Sequence, residues 1–502
     1  MVEDMTHTDF HSNSRRQRPH VLFITLDQFR GDALSCAGHF LVETPHLDEL
    51  ARSGVRFARH YTQATPCAPG RAGLYTGMYQ MNHRVVANGT PLDRRFDNVA
   101  LLANRSGCTS VLFGYTDQGI DPRVATGPDD PRLSTYEELL PGFEWELNLS
   151  GDHGPWVEHL RDLGYDESGG HLHLLSTEHT RPAEHGVSAF TTDRIIDWMR
   201  SHQDDDAPWF VHASYLRPHP PYSAPGSFHA KYAPERTGDA ISPVADRHPF
   251  HDLLLQLDAV AAPSDPESLA HLRSQYFGLI SAVDAELGRL WEALRDLDLW
   301  DDTIIIVTAD HGEQLGDHGL REKVGWFEES HHIPLIWRDP RHCAAHGTVI
   351  DEFTESVDVM PTLAESWSQP VPRQCNGYPL TPFLNGTQPP QWRTAASWEF
   401  DWRYALIPHL VEDWPWNRAL DENHLAVHRT RDTAYVQFGD GSSLCFDLEA
   451  DPTWRTLVQD PTRILDMAQR MLVWRSRNTD RTHTDLLLRN GGVGTWPDDL
   501  SW

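Results

Sequence analysis

Two apolar runs end in groups that can hold a cation. HVLFITLDQ closes on Asp27 and Gln28, and TIIIVTADHG closes on Asp310 and His311. Three oxygen donors and one imidazole suit a hard or borderline divalent ion such as Ca2+, Mg2+ or Mn2+ better than a thiolate-seeking one. Taken singly, each aspartate could equally cap a helix or a loop; that both end strong apolar runs favours the metal reading. HGEQLGDH also invites a zinc site, because His311 and His318 bracket Glu313 and Asp317. It lacks the HExxH spacing that sets two histidines on one helical face, and Gly312 and Gly316 weaken a helix there, so a glycine-bent loop is expected.

The stretch TPCAPGRAGLYTG sets Cys67 between Pro66 and Pro69, with Arg71 four residues beyond it. A lone cysteine is ordinarily a small buried hydrophobe. Here the prolines favour a stiff, extended backbone at Cys67, and a helix starting at Ala72 would turn its N-terminal dipole, together with Arg71, toward the thiol. Such a site stabilises an anion. Among 30 histidines, most of them structural or exposed by the usual distribution, His219 stands out. RPHPPY follows the strand-like PWFVHASY, and its prolines would hold the imidazole at the same rim.

These groups need a frame. HVLFITLDQ, FARHYTQ, CTSVLFGY, PWFVHASY, DDTIIIVTAD and IPLIWRD read as strands, the last two as neighbours. PHLDELARSG, with Pro at its start and Gly at its stop, reads as a helix, as do AFTTDRIIDWMRSH and a long segment with Ile280, Val283, Leu287, Leu290 and Leu294 at helical spacing. The alternation predicts an α/β fold with ligands at the C-terminal ends of its strands. After about residue 395 the pattern changes to HLAVHRT, TAYVQFG and SLCFDL, split by Arg-Asp and Gly-Asp-Gly turns, and then the helical PTRILDMAQRMLVWRS. The expected division is a catalytic unit over 1–395 and a small antiparallel α+β subdomain over 396–502. Residues between about 140 and 180, rich in His, Gly and Asp, are expected to be loop or insertion.

At 502 residues the chain exceeds the size of a single small core. Its formal charge of −31 is spread along the sequence, which argues against a nucleic-acid or anionic-membrane binder. An anionic substrate would therefore need local cations or a metal. Six scattered cysteines without a CxxC pair point to a reducing cytosol. The first residues carry no apolar export core, and no run of about 18 apolar residues occurs, so neither a signal peptide nor a membrane span is expected. The Asn-x-Ser/Thr triplets at Asn88, Asn104, Asn148 and Asn385 then read as chance matches.

CxPxR in TPCAPGRAGLYTG, the early LDQ, TADHGEQLGDHG and the lysine of REKVGW together resemble the sulfatase and phosphonate monoester hydrolase branch of the alkaline phosphatase superfamily, over nearly the whole chain. LDQ with Gln28 in place of a second aspartate, Asn88 in NGTPLD, GYTDQGIDPR and SWEFDWR look most like phosphonate monoester hydrolases and their cytosolic arylsulfatase relatives. The resemblance implies an alkaline-phosphatase-like large mixed sheet flanked by helices. It implies that a maturation enzyme oxidises Cys67 to formylglycine, that Arg71 steadies that group, and that Asp27, Gln28, Asp310 and His311 bind one divalent metal, Mn2+ or Ca2+ ahead of Mg2+ or Zn2+. Asn88, Tyr115, His219 and Lys323 would surround the transferred group, with Thr116 and Asp117 as substrate contacts. The implied activity is hydrolysis of small anionic esters (phosphonate monoesters, phosphodiesters, sulfate esters) by a cytoplasmic homo-oligomer, dimer or tetramer. The hydrated aldehyde would attack phosphorus or sulfur, and its second hydroxyl would let the product leave by C–O cleavage.

Two positions depart from the family pattern. Residue 70 is Gly where relatives usually carry Ser or Ala, and Asp117 stands where the family presents a threonine hydroxyl. A carboxylate there would repel a dianion, so monoanionic esters or substrates with a cationic portion are expected to be preferred. A dedicated sulfatase would need the same parts. A phosphotransferase or mutase of the superfamily would call for a Ser or Thr nucleophile and usually two metals. A non-catalytic binding protein would be expected to have lost one of Cys67, Arg71, Asp310, His311 or Lys323, and all are present.

Overall fold

The computed structural model describes residues 18–405 and 422–479, and the backbone of two short strands at 487–488 and 494–495. Eight strands pair into one sheet: β1 (His20–Leu26), β2 (Val55–Tyr61), β3 (Thr109–Gly114), β4 (Glu144–Asn148), β5 (Trp209–Tyr215), β6 (Thr303–Thr308), β7 (Leu335–Arg338) and β8 (Thr348–Glu355). Their order is β4-β3-β5-β1-β6-β7-β2-β8, with β7 antiparallel to both neighbours and the other pairings parallel. β1, β5 and β6 occupy the middle because their apolar and β-branched runs can be buried on both faces.

Alternate residues of β1 and β6 face opposite layers. Leu22, Ile24, Leu26, Ile305 and Val307 pack with Val283 and Leu287 of the helix Pro266–Asp296 and Ile195 of the helix Val187–Ser201. Val21, Phe23, Ile304 and Ile306 pack with Ala68 and Leu74 of the helix Cys67–Thr76 and with Met360 and Leu363 of the helix Val359–Ser366. Each fully buried aliphatic side chain is worth roughly 1.5–3 kcal/mol, and a one-residue slip would exchange the faces, so the register of β1 is fixed from both sides. That register places the chemistry. Thr25 of β1 lies opposite both Ser214 of β5 and Thr308 of β6, so Asp27 and Asp310 each fall two residues beyond the same row.

A second sheet, in order β12-β11-β10-β9, is antiparallel and comprises β9 (Ala396–Asp401), β10 (His424–Arg429), β11 (Thr433–Phe438) and β12 (Ser443–Asp447). One of its faces shares a core with Tyr61 and Phe353 of the large sheet through Trp398, Phe400 and Trp454. The other receives Met467 and Met471 of the helix Pro461–Asn478.

The region expected to be loop between about 140 and 180 is corrected by the structure. It holds β4 and the helices Gly154–Asp162 and Gly170–Ser176. As an edge strand β4 buries chiefly Leu147, so EWELN never shows the continuous apolar signal of a central strand, and the helices are anchored by Trp156, Leu160, Leu174 and Leu175 alone.

The long helix Pro266–Asp296 also organises its neighbour. Its buried Asp284 accepts hydrogen bonds from the backbone N–H of Leu47 at 2.8 Å and His46 at 3.2 Å, at the start of the helix Pro45–Arg52. Burial pushes this carboxyl up to about 7, against the lowering effect of those N–H donors. The folded state therefore holds the proton more tightly than the unfolded chain, and stability falls as pH rises from the ordinary carboxylate range, near 4, through 7. Asp284→Asn is expected to flatten that part of the stability profile: thermal melting should place it at or below wild type at pH 5 and gaining on wild type at pH 8, by up to about 1.4 kcal/mol per unit of the shift.

Candidate active site

Five strand ends converge at one edge of the large sheet. Asp27 follows β1, Asp310 and His311 follow β6, Tyr115 and Asp117 follow β3, and His219 follows β5. The loop after β2 leads to Cys67, the first residue of the helix Cys67–Thr76. The expected extended backbone at Cys67 and helix start at Ala72 are thus corrected: Pro66 caps the helix and Pro69 falls in its first turn, where an absent N–H costs nothing. Gly114, at φ +113, lets β3 turn against Ser214, whose carbonyl would lie 2.2 Å from any Cβ.

Arg71 binds the converging carboxylates. Its Nη2 donates to Asp27 at 3.0 Å and its Nε to Asp310 at 2.9 Å, with Asp117 at 3.2 Å from the same nitrogen; Nη1 reaches Ser214 Oγ at 2.8 Å and the Tyr115 carbonyl at 3.1 Å. The guanidinium is fully buried and stacks on the Tyr115 ring. Tyr115 Oη donates to Asp27 Oδ2 at 2.8 Å. Asn88 Oδ1 accepts the N–H of Ala68 at 2.9 Å, in the first turn of the Cys67 helix.

One ligand atom from each of Asp27, Cys67, Asp310 and His311 lies within 4.8 Å of all the others. Asp27 Oδ1 is buried without a hydrogen-bond donor among the described residues, an expensive state for a carboxylate oxygen unless a cation faces it. His311 Nδ1 lies 3.1 Å from the Gly312 carbonyl, which can only accept, so Nδ1 carries the proton and the bare Nε2 points at Cys67 Sγ, 3.2 Å away. Two carboxylates and an unprotonated imidazole fit a divalent cation.

The electrostatics agree with a shared cationic centre. Burial and the neighbouring Asp310 raise the carboxyl of Asp27, whereas Asp310, despite burial, is held to about 2 by His311, Arg71 and the N–H of Gln28. Burial also pushes the Cys67 thiol well up, with Asp27, Asp117 and Asp310 adding to it against Lys323. A thiolate is therefore disfavoured here.

Gln28, at φ +67, hydrogen bonds through its backbone to Asp310 Oδ1 and Tyr276 Oη, and its side-chain oxygen accepts from Lys323 Nζ at 2.7 Å. Lys323 also donates to His219 Nε2 at 3.0 Å. His219 Nδ1 lies 2.8 Å from the Pro220 carbonyl, which fixes the Nδ1–H tautomer, and burial together with Lys323 lowers its pKa to about 3. The proton near this end of the site thus belongs to Lys323, with the neutral His219 orienting it.

Contacts at four further residues bear on the expectations. The hydroxyl of Thr116 donates to the Glu138 carbonyl and accepts the Leu140 N–H. Asp117 is not a free anion but is paired with Arg71. Neither His318 nor Asp317 joins His311: His318 stacks on Phe327 and faces Glu329, and Asp317 binds Arg30, so HGEQLGDH makes no metal site of its own, in keeping with the expected glycine-bent loop. Ser214, Tyr222 and Glu313 also contact the cluster's residues. Ser214 ends an evident strand, but nothing in one sequence marks its hydroxyl as a partner of Arg71.

The chain matches a family model described as sulfatase over residues 19–367 and one described as N-sulphoglucosamine sulphohydrolase, C-terminal, over residues 316–471. It is 35% identical to the multifunctional alkaline phosphatase superfamily protein PehA of Trinickia caryophylli, across 93% of this chain and 97% of that one. Its fold superposes on the phosphonate monoester hydrolase of Agrobacterium radiobacter with a TM-score of 0.87 and 37% identity, covering 96% of this chain and all of the other. The phosphonate monoester hydrolase of Silicibacter pomeroyi superposes with a TM-score of 0.85 and 32% identity over the same shares.

Gly70 explains one departure in sequence. A Cβ at this position would stand 2.5 Å from the Asp310 carbonyl and 3.0 Å from that of Ala64, both backbone atoms. Helix propensity alone favours Gly70→Ala by about 1 kcal/mol. The close approach reverses the sign, and Gly70→Ala is expected to lower stability by about 1–3 kcal/mol in denaturant titration.

Proposed function

Because the chain belongs to the sulfatase family, we propose that it is a formylglycine-dependent, metal-dependent hydrolase acting on phosphonate monoesters and phosphodiesters, with sulfate esters as further substrates. That it hydrolyses phosphonate or sulfate esters follows from its likeness to phosphonate monoester hydrolases and sulfatases over nearly the whole chain. The finer reading is carried by one observation: Cys67, Asp27, Asp310 and His311 meet at a single point, with Arg71 and Lys323 in the same hydrogen-bond network.

In this reading Asp27, Gln28, Asp310 and His311 hold the cation, Mn2+ or Ca2+ ahead of Mg2+ or Zn2+, which supplies Lewis-acid charge to the reacting oxygens. Formylglycine made from Cys67 by a maturation enzyme supplies, as its hydrate, a nucleophilic hydroxyl and a second hydroxyl for release of the product. The chain's own groups do the rest. Arg71 holds the strand-end carboxylates and steadies residue 67. Asn88 fixes the first turn of the helix that carries residue 67, and Tyr115 orients Asp27. Lys323, positioned by His219, gives charge or a proton to the leaving oxygen. Six cysteines, none of them in a disulfide among the described residues, support a reducing, cytoplasmic setting. Exposed Leu465, Leu472 and Val473 on the helix Pro461–Asn478 support assembly into a homo-oligomer.

Substrate charge tests the site. The purified, matured enzyme, assayed on aryl phosphonate monoesters, phosphodiesters, phosphate monoesters and sulfate esters, should lose turnover with chelator and regain it with Mn2+. Burial raises the Asp117 carboxyl well above the ordinary carboxylate range against the pull of Arg71, and the charge it carries when ionised disfavours a dianion. Asp117→Thr should raise turnover of dianionic phosphate monoesters relative to monoanionic diesters by about tenfold, the effect of 1.4 kcal/mol; an unchanged ratio contradicts this role for Asp117.

A further inference from the structure

Gln28 is an amide among charged ligands, and an amide can face a cation by either end. Only its oxygen can bind one. The structure shows what decides the orientation. On one side Lys323 Nζ, which can only donate, lies 2.7 Å from Gln28 Oε1. On the other, Gln28 Nε2 donates to Glu313 Oε2, which can only accept, and has Tyr222 Oη at 3.2 Å and Glu322 Oε2 at 3.4 Å. Glu313 is fully buried and its capacity is filled: Oε2 also accepts from Tyr222 Oη at 2.7 Å, and Oε1 accepts the N–H groups of Leu315 and Glu322, each at 2.8 Å.

We propose that Glu313 is a positioning residue that locks the side-chain amide of Gln28 with its oxygen toward the metal and Lys323. The inference rests on the metal reading of the site given above. Glu313 is held to the loop that follows β6 and, through Tyr222, to the segment that carries His219, so one carboxylate sets a metal ligand against the leaving-group side of the site. Its sense is dictated by protons rather than by shape. In Glu313→Gln the two backbone N–H groups claim the new carbonyl oxygen, and the new NH2 falls where Oε2 was, facing the NH2 of Gln28. The amide of Gln28 can relieve that contact only by turning its own NH2 toward Lys323. Both orientations then carry a donor–donor clash.

The test is Mn2+ binding to metal-depleted full-length protein, read as free Mn2+ by electron paramagnetic resonance, alongside melting of the metal-free protein. Wild type should take up one Mn2+ per chain. Glu313→Gln should bind about 10- to 100-fold more weakly, the loss usual for a ligand-orienting partner, with little change in metal-free melting. Gln28→Glu alone sets two carboxylates against each other and should also weaken binding. The exchange Gln28→Glu with Glu313→Gln restores a donor–acceptor pair and should return the constant to within about threefold of wild type. A wild type that takes up no Mn2+ overturns the metal reading and this inference with it. Wild-type uptake with an unchanged constant in Glu313→Gln overturns the inference alone. So does weakened binding that follows lost melting temperature without recovery in the exchange, or failure of both Glu313→Gln and the exchange to fold.

Discussion

The constraint on which the rest depends is the burial of three carboxylates around one guanidinium. Asp27, Asp117 and Asp310 all contact Arg71, and Arg71 has no exposed surface. One guanidinium cannot neutralise three carboxylates, and Lys323 is shared with Glu322 at 3.3 Å. The imbalance shows as raised carboxyls at Asp27 and Asp117 and as an Asp27 oxygen without a donor among the described residues. A divalent cation is the simplest group that balances such a site, and removing Arg71 would leave buried charges whose cost is typically about 3–5 kcal/mol.

The fold places this charge by simple geometry. Three parallel strands in fixed register bring their C-terminal ends to one row, and the helix Cys67–Thr76 lies over them, close enough that a Cβ at residue 70 would crowd the Asp310 carbonyl. The helix N-terminus and Arg71 favour an anion beside residue 67, but burial and the surrounding carboxylates oppose a thiolate. The same arrangement suits a neutral precursor that becomes nucleophilic only after conversion and with a cation present.

Much of this was legible in the sequence because central parallel strands are continuous apolar runs, and a polar residue ending such a run marks the ligand-bearing edge. HVLFITLDQ and TIIIVTADHG carried that signal for Asp27 and Asp310 without any tertiary knowledge. What was hidden depends on contacts. β4 lacks the apolar pattern because it is an edge strand, and the helix start at Cys67 was masked by prolines that read locally as extended. The capture of the Thr116 hydroxyl by the backbone at 138–140 and the pairing of Asp117 with Arg71 follow from loops that meet only in the folded chain. Glu313 was visible as part of a motif, but its partner Gln28 lies 285 residues away.

The central claim is that residue 67 works as an aldehyde precursor and not as a thiol. Mass spectrometry of the peptide spanning residue 67, from active protein produced with its own maturation machinery, tests it most directly. The account predicts that the thiol at position 67 is replaced by the aldehyde of formylglycine in the active fraction. A fully active preparation in which Cys67 is an unmodified thiol would contradict it.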